Sequence, residues 1–533
     1  MKKGIALILT VLLLLALAAC GGNSGSQNQN ASPPSQPNTT PSGGGQTSGS
    51  NTQTPQPAGN KRDDLVFCWT NKIESLDPLQ ALYSMQIQLA GAVMERLAGY
   101  DDTANVRTFG VAENYTESDG GLTWTFKLRP NIQFHNGTAL TSNDVKFSIE
   151  QAMGSSYQGQ FVDFIQSVEA PDDKTVVLRL KFNCPFGFQM LNKIFILPAG
   201  YYAEKGSEGF SDHPIGTGPY KFVSHDLASG NIVVERNENY WGETPSFSRI
   251  TFRTITDMST ALIALEKGEV DITGISGNEY TSAAANSSLA IGQTKNNILS
   301  HLIFNSEVSP SNNKLFRQAC AYALDYEALY LLATGGYYGD ASSLFFLDMW
   351  GEIPTGVTEY NYNPDKAKEL LKQSGMALPI NLGTVQTTAQ NKPPIEAIQQ
   401  YFATVGINFQ IEQVEPGAYI GSLLSGNFRV NSMLGNDAGI TAATALDSML
   451  NSSNIPGFNL SRWQSADTDA MLAKMVYAKT DEEYKAAAKD VLAFIQDEAM
   501  YVTFAHRSSL YAYNKDLNVY FNSDLEINKF SWK

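Results

Sequence analysis

The sequence predicts an α/β protein built from two lobes. Between residues 61 and 533, strand-like segments alternate with helix-like segments, which is the pattern of an α/β fold. A stretch of this length is too long for one ordinary hydrophobic core, so two lobes are expected. Helices that run into strands through a single glycine support the same assignment.

Four segments carry complete local signals for a helix. In "NPDKAKELLKQSG", Asn363 stands at the N-cap and Gly375 lies beyond the end. "PPIEAIQQYFATVGINFQIEQVE" and "STALIALEKGEVDI" each predict a helix that ends at a glycine, Gly406 or Gly268, and leads into a strand. "LTSNDVKFSIEQAM" predicts a helix capped by Thr141. The apolar residues predicted to face the core on these helices are Val145, Ile149, Met153, Leu262, Leu265, Ala367, Leu370, Leu371, Ile395, Ile398, Phe402 and Val405, and the strand after Gly268 is predicted to begin with Val270 and Ile272.

The N-terminus has the pattern of a targeting segment. Lys2 and Lys3 precede an apolar run from Ile5 to Ala18, which is too short to favour a membrane-spanning helix. The quartet "LAAC" resembles the bacterial lipobox, which implies cleavage before Cys20 and a diacylglyceryl thioether on its sulfur. Residues 1–19 are therefore expected to be a lipoprotein signal peptide. An ordinary secretory peptide with a cysteine near its cleavage site is the alternative.

Residues 20–60 are expected to form a lipidated cysteine followed by a disordered tether. From residue 21 onward the segment has no charged residue, no aromatic residue and no aliphatic side chain larger than alanine. It cannot bury enough apolar surface to offset the entropy of ordering. As a flexible coil it would reach about 35 Å. This length suits a tether to the outer face of a cell membrane, of Gram-positive type or on the periplasmic side.

Composition and motifs exclude several classes of function. A net charge of −16 argues against binding to nucleic acid or anionic lipid. The five histidines are scattered, and no metal-binding, nucleophile or phosphate-loop motif is present, so we predict no catalytic residue, no metal and no cofactor. "GTGPYK" at 216–221 is expected to fix a turn. Cys68, Cys184 and Cys320 are expected to be small buried residues, with one disulfide and one free thiol as the alternative.

Several long strings resemble one family over nearly the whole body of the chain. These are "FKLRPNIQFHNGTALTSNDVKFSIEQA", "HPIGTGPYKFVSHD", "VERNENYWGETPSFSRITFRTITDMSTALIALEKGEVDI", "LFRQACAYALDYEAL" and "YNPDKAKELLKQSG". In this order they resemble the extracellular solute-binding proteins of peptide/nickel-type ABC transporters, family 5.

The resemblance implies a periplasmic-binding-protein-like fold of class II type with an extra subdomain inserted in lobe I. Lobe I would comprise residues 61–297 and 501–533, with the inserted subdomain at about 95–205, and lobe II residues 298–500. Ligand would bind between the lobes, and closure would be read by a membrane permease. The implied protein is a monomer that captures an oligopeptide or dipeptide and is no enzyme. Oligosaccharide or nickel-chelate cargo, sensing of a peptide signal, and a wall-attached hydrolase are the alternatives.

The resemblance also implies a loop that binds the ligand. In peptide-binding members, an Asp in a segment resembling G-W-x-x-D commonly meets the peptide ammonium, because an unpaired buried charge is costly. The corresponding segment begins at Gly435, but Asn436 replaces the Trp and Gly439 replaces the Asp. Asp437 either does the same work two positions early or forms the turn before a helix capped at Thr441. A ligand without an ammonium is the third possibility.

Further ligand-binding candidates come from both lobes. Trp69 and Asn71 follow the strand "DLVFCW", where open α/β sheets place ligands. Trp350 is an aromatic candidate beside small polar residues. Asn459 and Arg462 resemble a segment of lobe II near the cleft, although Arg462 could equally form a surface ion pair.

Overall fold

The computed structural model describes residues 62–81, 84–101, 104, 106–155, 158–184, 187–294, 298–337, 339, 341–344, 356–388, 391–437, 442–455, 457, 459–522 and 525–533. These residues belong to one compact unit, Lys61–Lys533. The predicted signal peptide, Cys20, the tether and Trp350 lie outside the described residues. No helix among the described ranges is both long enough and apolar enough to cross a membrane.

Twenty strands and fourteen α-helices occur in the described part of the chain. The strands are β1 (Asp64–Trp69), β2 (Ala98–Asp101), β3 (Val106–Phe109), β4 (Ala112–Ser118), β5 (Thr123–Leu128), β6 (Ile165–Asp172), β7 (Thr175–Leu180), β8 (Tyr220–Asp226), β9 (Asn231–Arg236), β10 (Arg249–Thr254), β11 (Ile272–Ile275), β12 (Leu289–Gln293), β13 (Ile298–Phe304), β14 (Ile380–Thr387), β15 (Ile407–Gln413), β16 (Val430–Asp437), β17 (Tyr501–Arg507), β18 (Leu510–Asn514), β19 (Leu517–Asn518) and β20 (Ser531–Trp532). The helices are α1 (Ser84–Val93), α2 (Ser142–Gly154), α3 (Gly187–Leu191), α4 (Ala199–Asp212), α5 (Met258–Glu266), α6 (Gly277–Ala285), α7 (Lys314–Tyr322), α8 (Tyr326–Thr334), α9 (Pro364–Gln373), α10 (Lys392–Thr404), α11 (Pro416–Ser425), α12 (Ala442–Leu450), α13 (Ala466–Val476) and α14 (Asp481–Glu498).

The first lobe is organised around a seven-stranded sheet in the order β12-β18-β11-β1-β10-β9-β8. Its central strand β1 runs parallel to both neighbours, β10 and β11. A strand buried in this way reads as a continuous apolar run, as "DLVFCW" does. Phe67 and Phe252 are both fully buried and pack at 6.1 Å between ring centroids.

The chain between α1 and β8 forms a second body of the first lobe. It contains a four-stranded antiparallel sheet in the order β4-β5-β7-β6 and a separate aromatic core. Gly187 is required in this core, because a Cβ there would lie 2.4 Å from the Trp124 ring. We call this body the inserted subdomain; the sequence-based prediction puts an inserted subdomain at about residues 95–205.

The second lobe contains a three-stranded sheet in the order β16-β13-β17 and the parallel pair β14-β15. Strand β17 pairs with β13 throughout its length, and Tyr501, Val502 and Phe504 are buried in the cores of this lobe. The chain therefore returns to the seven-stranded sheet only at Leu510. The predicted boundary at residues 500/501 is too early by one strand, because β17 has its hydrogen-bonding partner in the second lobe.

Most of the local signals are confirmed. The Asn363 side chain accepts the amide of Lys366 at 2.9 Å at the start of α9, and Gly268, Gly375 and Gly406 have positive φ angles of 71°, 72° and 89°. Two details of the prediction are wrong. Met153 is 37% exposed, because α2 buries Ala152 instead. Strand β11 begins at Ile272, whereas Val270 is buried ahead of the strand.

The glycine turn and the cysteines also behave as expected. Gly218 donates its amide to the Val93 carbonyl at 3.0 Å, and a Cβ on it would lie 2.6 Å from the Val93 carbonyl carbon. Residues 217–219 of "GTGPYK" thus form a bend that packs closely on the end of α1, directly before β8. Within the described residues, Cys68, Cys184 and Cys320 are buried, and they form no disulfide with one another.

Candidate functional site

The two lobes are joined where the chain crosses twice between their sheets. The first crossing runs from the end of β12 at Gln293 to the start of β13 at Ile298, and the second runs from the end of β17 at Arg507 to the start of β18 at Leu510. The amide of Thr294 donates to the Ser509 carbonyl, so the crossings are bonded to each other. We call this region the junction.

The carboxyl end of β1 faces the junction. Strand β11 is parallel to β1, and its last residue, Ile275, pairs with Leu510, the first residue after the second crossing. Gln293, the last residue before the first crossing, also pairs with Leu510. Strands β1 and β11 therefore end at the same edge of the sheet from which both crossings leave. Ligands of open α/β sheets bind beyond the carboxyl ends of such strands.

The end of β16 faces the junction from the second lobe. Asp437 pairs with Ile298, the first residue of β13, and Ile298 pairs on its other side with Arg507, the last residue of β17. These three positions form one row across the sheet, directly beside both crossings. The predicted ligand-reading segment from Gly435 to Asp437 thus comes to the same junction as the end of β1.

Irregular pairing marks this end of the three-stranded sheet. Leu299 pairs with Asn436 while Ser300 pairs with Leu434, so Gly435 is an extra residue in β16. The pairing of β13 with β17 also shifts between Ser300 and His301. Bulges change the direction of a strand and are frequent beside functional sites. The bulged residue, Gly435, is a glycine and has no side chain.

Trp69 and Asn71 differ in their surroundings, although both lie at the end of β1. The Trp69 ring is 3% exposed, is stacked on Phe252 at 4.2 Å and donates its indole N–H to the Gln88 amide oxygen at 3.2 Å. It belongs to the core of the first lobe and holds the end of β1 in place. Asn71 is exposed beyond the strand, so it is the residue of this pair whose side chain is accessible to a ligand.

Asn459 organises a loop at the opposite end of the three-stranded sheet. Its side chain is 1% exposed, donates to the carbonyls of Asn451 and Trp463, and accepts from the Ser461 hydroxyl at 3.0 Å. Ser461 in turn bonds to the Tyr501 hydroxyl at the start of β17. The structure does not bring Asn459 to the junction, because its polar groups serve the loop itself.

Arg462 lies in the same loop, away from the junction. Its guanidinium donates to the Leu424 carbonyl at 2.8 Å and packs so closely on Gly426 that a Cβ there would lie 1.8 Å from Nε. Its φ angle of 53° is in the left-handed region, which fixes the course of the loop. The alternative predicted from the sequence, a surface ion pair of Arg462, is not formed with any carboxylate among the described residues.

Strand β17 also positions the segment that leads toward Trp350. A ring nitrogen of His506, which pairs with Leu299 beside the junction, bonds to the Leu344 carbonyl at 2.7 Å. Gln496 on α14 donates to the Ser343 and Thr358 carbonyls at 3.1 and 3.0 Å, so both residues are bonded to the same side chain. Sequence reasoning missed this anchoring role of His506, since no motif accompanies the residue.

His301 on the central strand β13 is an uncharged core residue. His301 is fully buried on β13, and burial, with a smaller contribution from His506, lowers the pKa of His301 to about 3. It is therefore neutral at physiological pH and packs edge-on against Tyr501 at 5.3 Å. Among the residues that the structure describes, no group of three or more His, Cys, Asp or Glu side chains could hold a metal ion.

Two sheets joined by two crossings of the chain are the features of a two-lobed binding protein. The chain matches the family "Bacterial extracellular solute-binding proteins, family 5 Middle" over residues 108–457. It belongs to this family, which confirms the resemblance read from the sequence. The family places the protein outside the cytoplasm and among binding proteins, so it is not an enzyme.

Individual relatives extend the comparison. A Brucella ovis protein provisionally named as an ABC transporter peptide-binding protein is 28% identical, with 76% of this chain and 81% of that protein covered. The glutathione-binding protein GsiB of Pectobacterium atrosepticum is 26% identical, with 86% and 91% covered. The periplasmic binding protein DppA from Helicobacter pylori, solved in complex with peptide STSA, superposes with a TM-score of 0.77 at 24% identity, with 88% and 98% covered. The two-lobed fold predicted from the sequence is confirmed.

Proposed function

We propose that this protein is the solute-binding component of an ABC importer and that its cargo is a peptide. The observation that carries the proposal is that two candidate ligand-binding segments lie at the junction. Asn71 lies at the end of β1, and Gly435 to Asp437 form the end of β16 beside both crossings. Relatives of similar length bind peptides or glutathione by name, which supports a ligand with a peptide backbone.

The arrangement couples binding to closure by simple thermodynamics. A ligand that contacts only one lobe binds the open and closed states equally and shifts nothing. A ligand that contacts both the end of β1 and the end of β16 binds the closed state more tightly, so it favours closure by that difference in affinity. A membrane permease that recognises the closed state would then accept loaded protein in preference to empty protein.

Asp437 is the proposed partner of the peptide ammonium. A charge that leaves water needs a counter-charge, and Asp437 is the carboxylate nearest the position that the family pattern assigns. Asp437 is the last residue of β16 and pairs opposite Ile298. A residue within a strand is less suited to be the turn former than one in the connection to α12, and this favours the ligand-binding interpretation.

The remaining parts of the proposal concern the location and the assembly. The "LAAC" quartet supports lipidation of Cys20, and the neutral segment after it supports a tether that keeps the receptor near its transporter. We infer that the protein acts as a monomer, because one chain supplies both sides of the junction. Globomycin treatment of producing cells tests the anchor: accumulation of uncleaved precursor is expected, and unchanged processing would contradict it.

Thermal shifts measured against three ligand classes test the cargo. A ligand that binds only the folded protein raises its Tm, so a tetrapeptide such as STSA should raise the Tm while oligosaccharides and nickel chelates should not. Peptides that fail at every length, with a sugar or a nickel chelate succeeding, would overturn the peptide assignment.

Two matched variants test the ammonium partner. Asp437→Asn should weaken binding of a peptide with a free amino terminus by about 10-fold or more and should matter little for its N-acetylated form. Asp467→Asn, at an exposed position on α13, is the control and should leave both affinities unchanged. Equal affinities for Asp437→Asn and the control would assign Asp437 to the turn.

A further inference from the structure

The inserted subdomain contacts the second lobe away from the seven-stranded sheet. Phe182, just after β7, meets Tyr477 edge to face, with ring centroids 4.6 Å apart and an interplanar angle of 90°. The adjacent Asn183 donates its side-chain N–H to the Lys479 carbonyl at 3.0 Å. One aromatic pair and one directional hydrogen bond therefore join the same two short segments.

The contact belongs to neither core. Phe182 packs on the aromatic core of the inserted subdomain, whereas Tyr477 and Lys479 lie in the connection between α13 and α14 of the second lobe. Tyr477 remains 55% exposed although it touches Phe182. Because the contact joins surface residues of two separate bodies, it can break while both hydrophobic cores stay intact.

Like charges lie beside this contact and oppose it. Asp163 of the inserted subdomain forms an ion pair with Lys181 at 2.7 Å, next to Phe182. Burial raises the pKa of Asp447 on α12, and the nearby charges of Asp163 and Asp469 add to that effect. Asp163 therefore places a negative charge near Asp447 of the second lobe, and its ion pair with Lys181 offsets part of the repulsion.

We propose that Phe182, Asn183, Tyr477 and Lys479 form a closure latch through which the inserted subdomain holds the second lobe in the closed state. This inference rests on the proposed closure of the two lobes around a ligand and assigns a regulatory part to residues outside the junction. Interactions made only in the closed state raise the closed fraction and slow the release of ligand. Removing an aromatic pair or a hydrogen bond of this kind should weaken ligand affinity roughly 3- to 10-fold.

Affinity measurements on paired variants test the latch. Tyr477→Ala and Asn183→Ala should each weaken STSA binding by about 3- to 10-fold, mainly through faster dissociation. Tyr362→Ala is the matched control, because Tyr362 is 45% exposed and packs edge-on against Tyr401 of its own lobe at 5.6 Å. Affinities for Tyr477→Ala and Asn183→Ala that equal that of the control would overturn the latch.

Crosslinking tests the contact without any assumption about cargo. The three described native cysteines are buried, so a short bismaleimide should join the double variant Phe182→Cys/Tyr477→Cys and leave the pair Phe182→Cys/Tyr362→Cys unlinked. Absence of the crosslink both with and without STSA would overturn the latch. If wild-type protein binds no peptide, the proposed cargo fails, and the crosslink still decides whether the contact between Phe182 and Tyr477 forms.

Discussion

Thr294 and Ser509 bind each other across the two crossings through reciprocal hydrogen bonds. The Thr294 amide donates to the Ser509 carbonyl at 3.0 Å, and the Ser509 amide donates to the Thr294 hydroxyl at 3.2 Å. The first bond uses backbone atoms only, whereas the second depends on a side chain that can be changed. Changing that side chain therefore tests how strongly the two crossings are held together at the junction.

Thr294→Val should weaken the bonding between the two crossings while it preserves the shape of the side chain. The Ser509 amide would lose a partner in a partly buried place, at a cost of about 1–2 kcal/mol in the free energy of unfolding. Urea unfolding of this variant and of Thr116→Val, an exposed position on β4, measures the difference. Equal stabilities for the two variants would show that the hydroxyl bond contributes nothing to the stability of the junction.

The two predicted residues at the end of β1 should respond differently to mutation. Trp69→Phe removes the bond to Gln88 and part of the stacking on Phe252, so it should lower the free energy of unfolding by about 1–3 kcal/mol. Asn71→Ala, at an exposed position, should change stability little and weaken ligand binding. Calorimetry of unfolding and of ligand binding separates the two effects. A destabilised Asn71→Ala protein with full affinity would reverse the assignment.

Gly187→Ala should damage the core of the inserted subdomain. The new methyl group would lie 2.4 Å from the Trp124 ring, and overpacking of this kind costs about 1–3 kcal/mol. Gly200→Ala is a suitable control, because no atom lies within 4 Å of the new Cβ and the site is in helix α4. The control should be neutral or slightly stabilising. The two Tm values, measured side by side, check the prediction.

Glu95 should make stability depend on pH near neutrality. Burial raises the pKa of Glu95 to about 7, against a hydrogen bond from the Tyr240 hydroxyl and the charge of Arg96. The folded protein therefore binds this proton more tightly than the unfolded chain, so the free energy of unfolding falls as the pH rises from about 4.5 to about 7. The loss is expected to be about 1–3 kcal/mol.

Glu95→Gln should abolish that part of the pH dependence. The amide oxygen can still accept the Tyr240 hydroxyl, but no charge forms at high pH. Urea unfolding at pH 5 and pH 8 should show a smaller decrease for this variant than for Glu113→Gln, an exposed position on β4. Parallel pH profiles for the two variants would contradict the prediction.

Local structure was predictable from sequence where neighbouring residues decide it. The cap at Asn363 and the glycine that ends α10 depend on a few adjacent residues, and both were found. The surroundings of Trp69 and Asn459 depend instead on partners such as Phe252 and Trp463, so sequence position alone could not show that their side chains are buried. The pairing of Phe182 with Tyr477 joins residues far apart in the chain and had no sequence signal.

The return of the chain at Leu510 has a consequence for protein engineering. Because the second lobe begins after Thr294 and ends before Ser509, its two ends are hydrogen-bonded neighbours. A stretch whose ends meet can be excised or replaced without stretching the remaining chain. Residues 298–507 thus form a cassette, and a relative's cassette grafted at these two points would exchange one wall of the ligand site while the lobe that carries Asn71 stays unchanged.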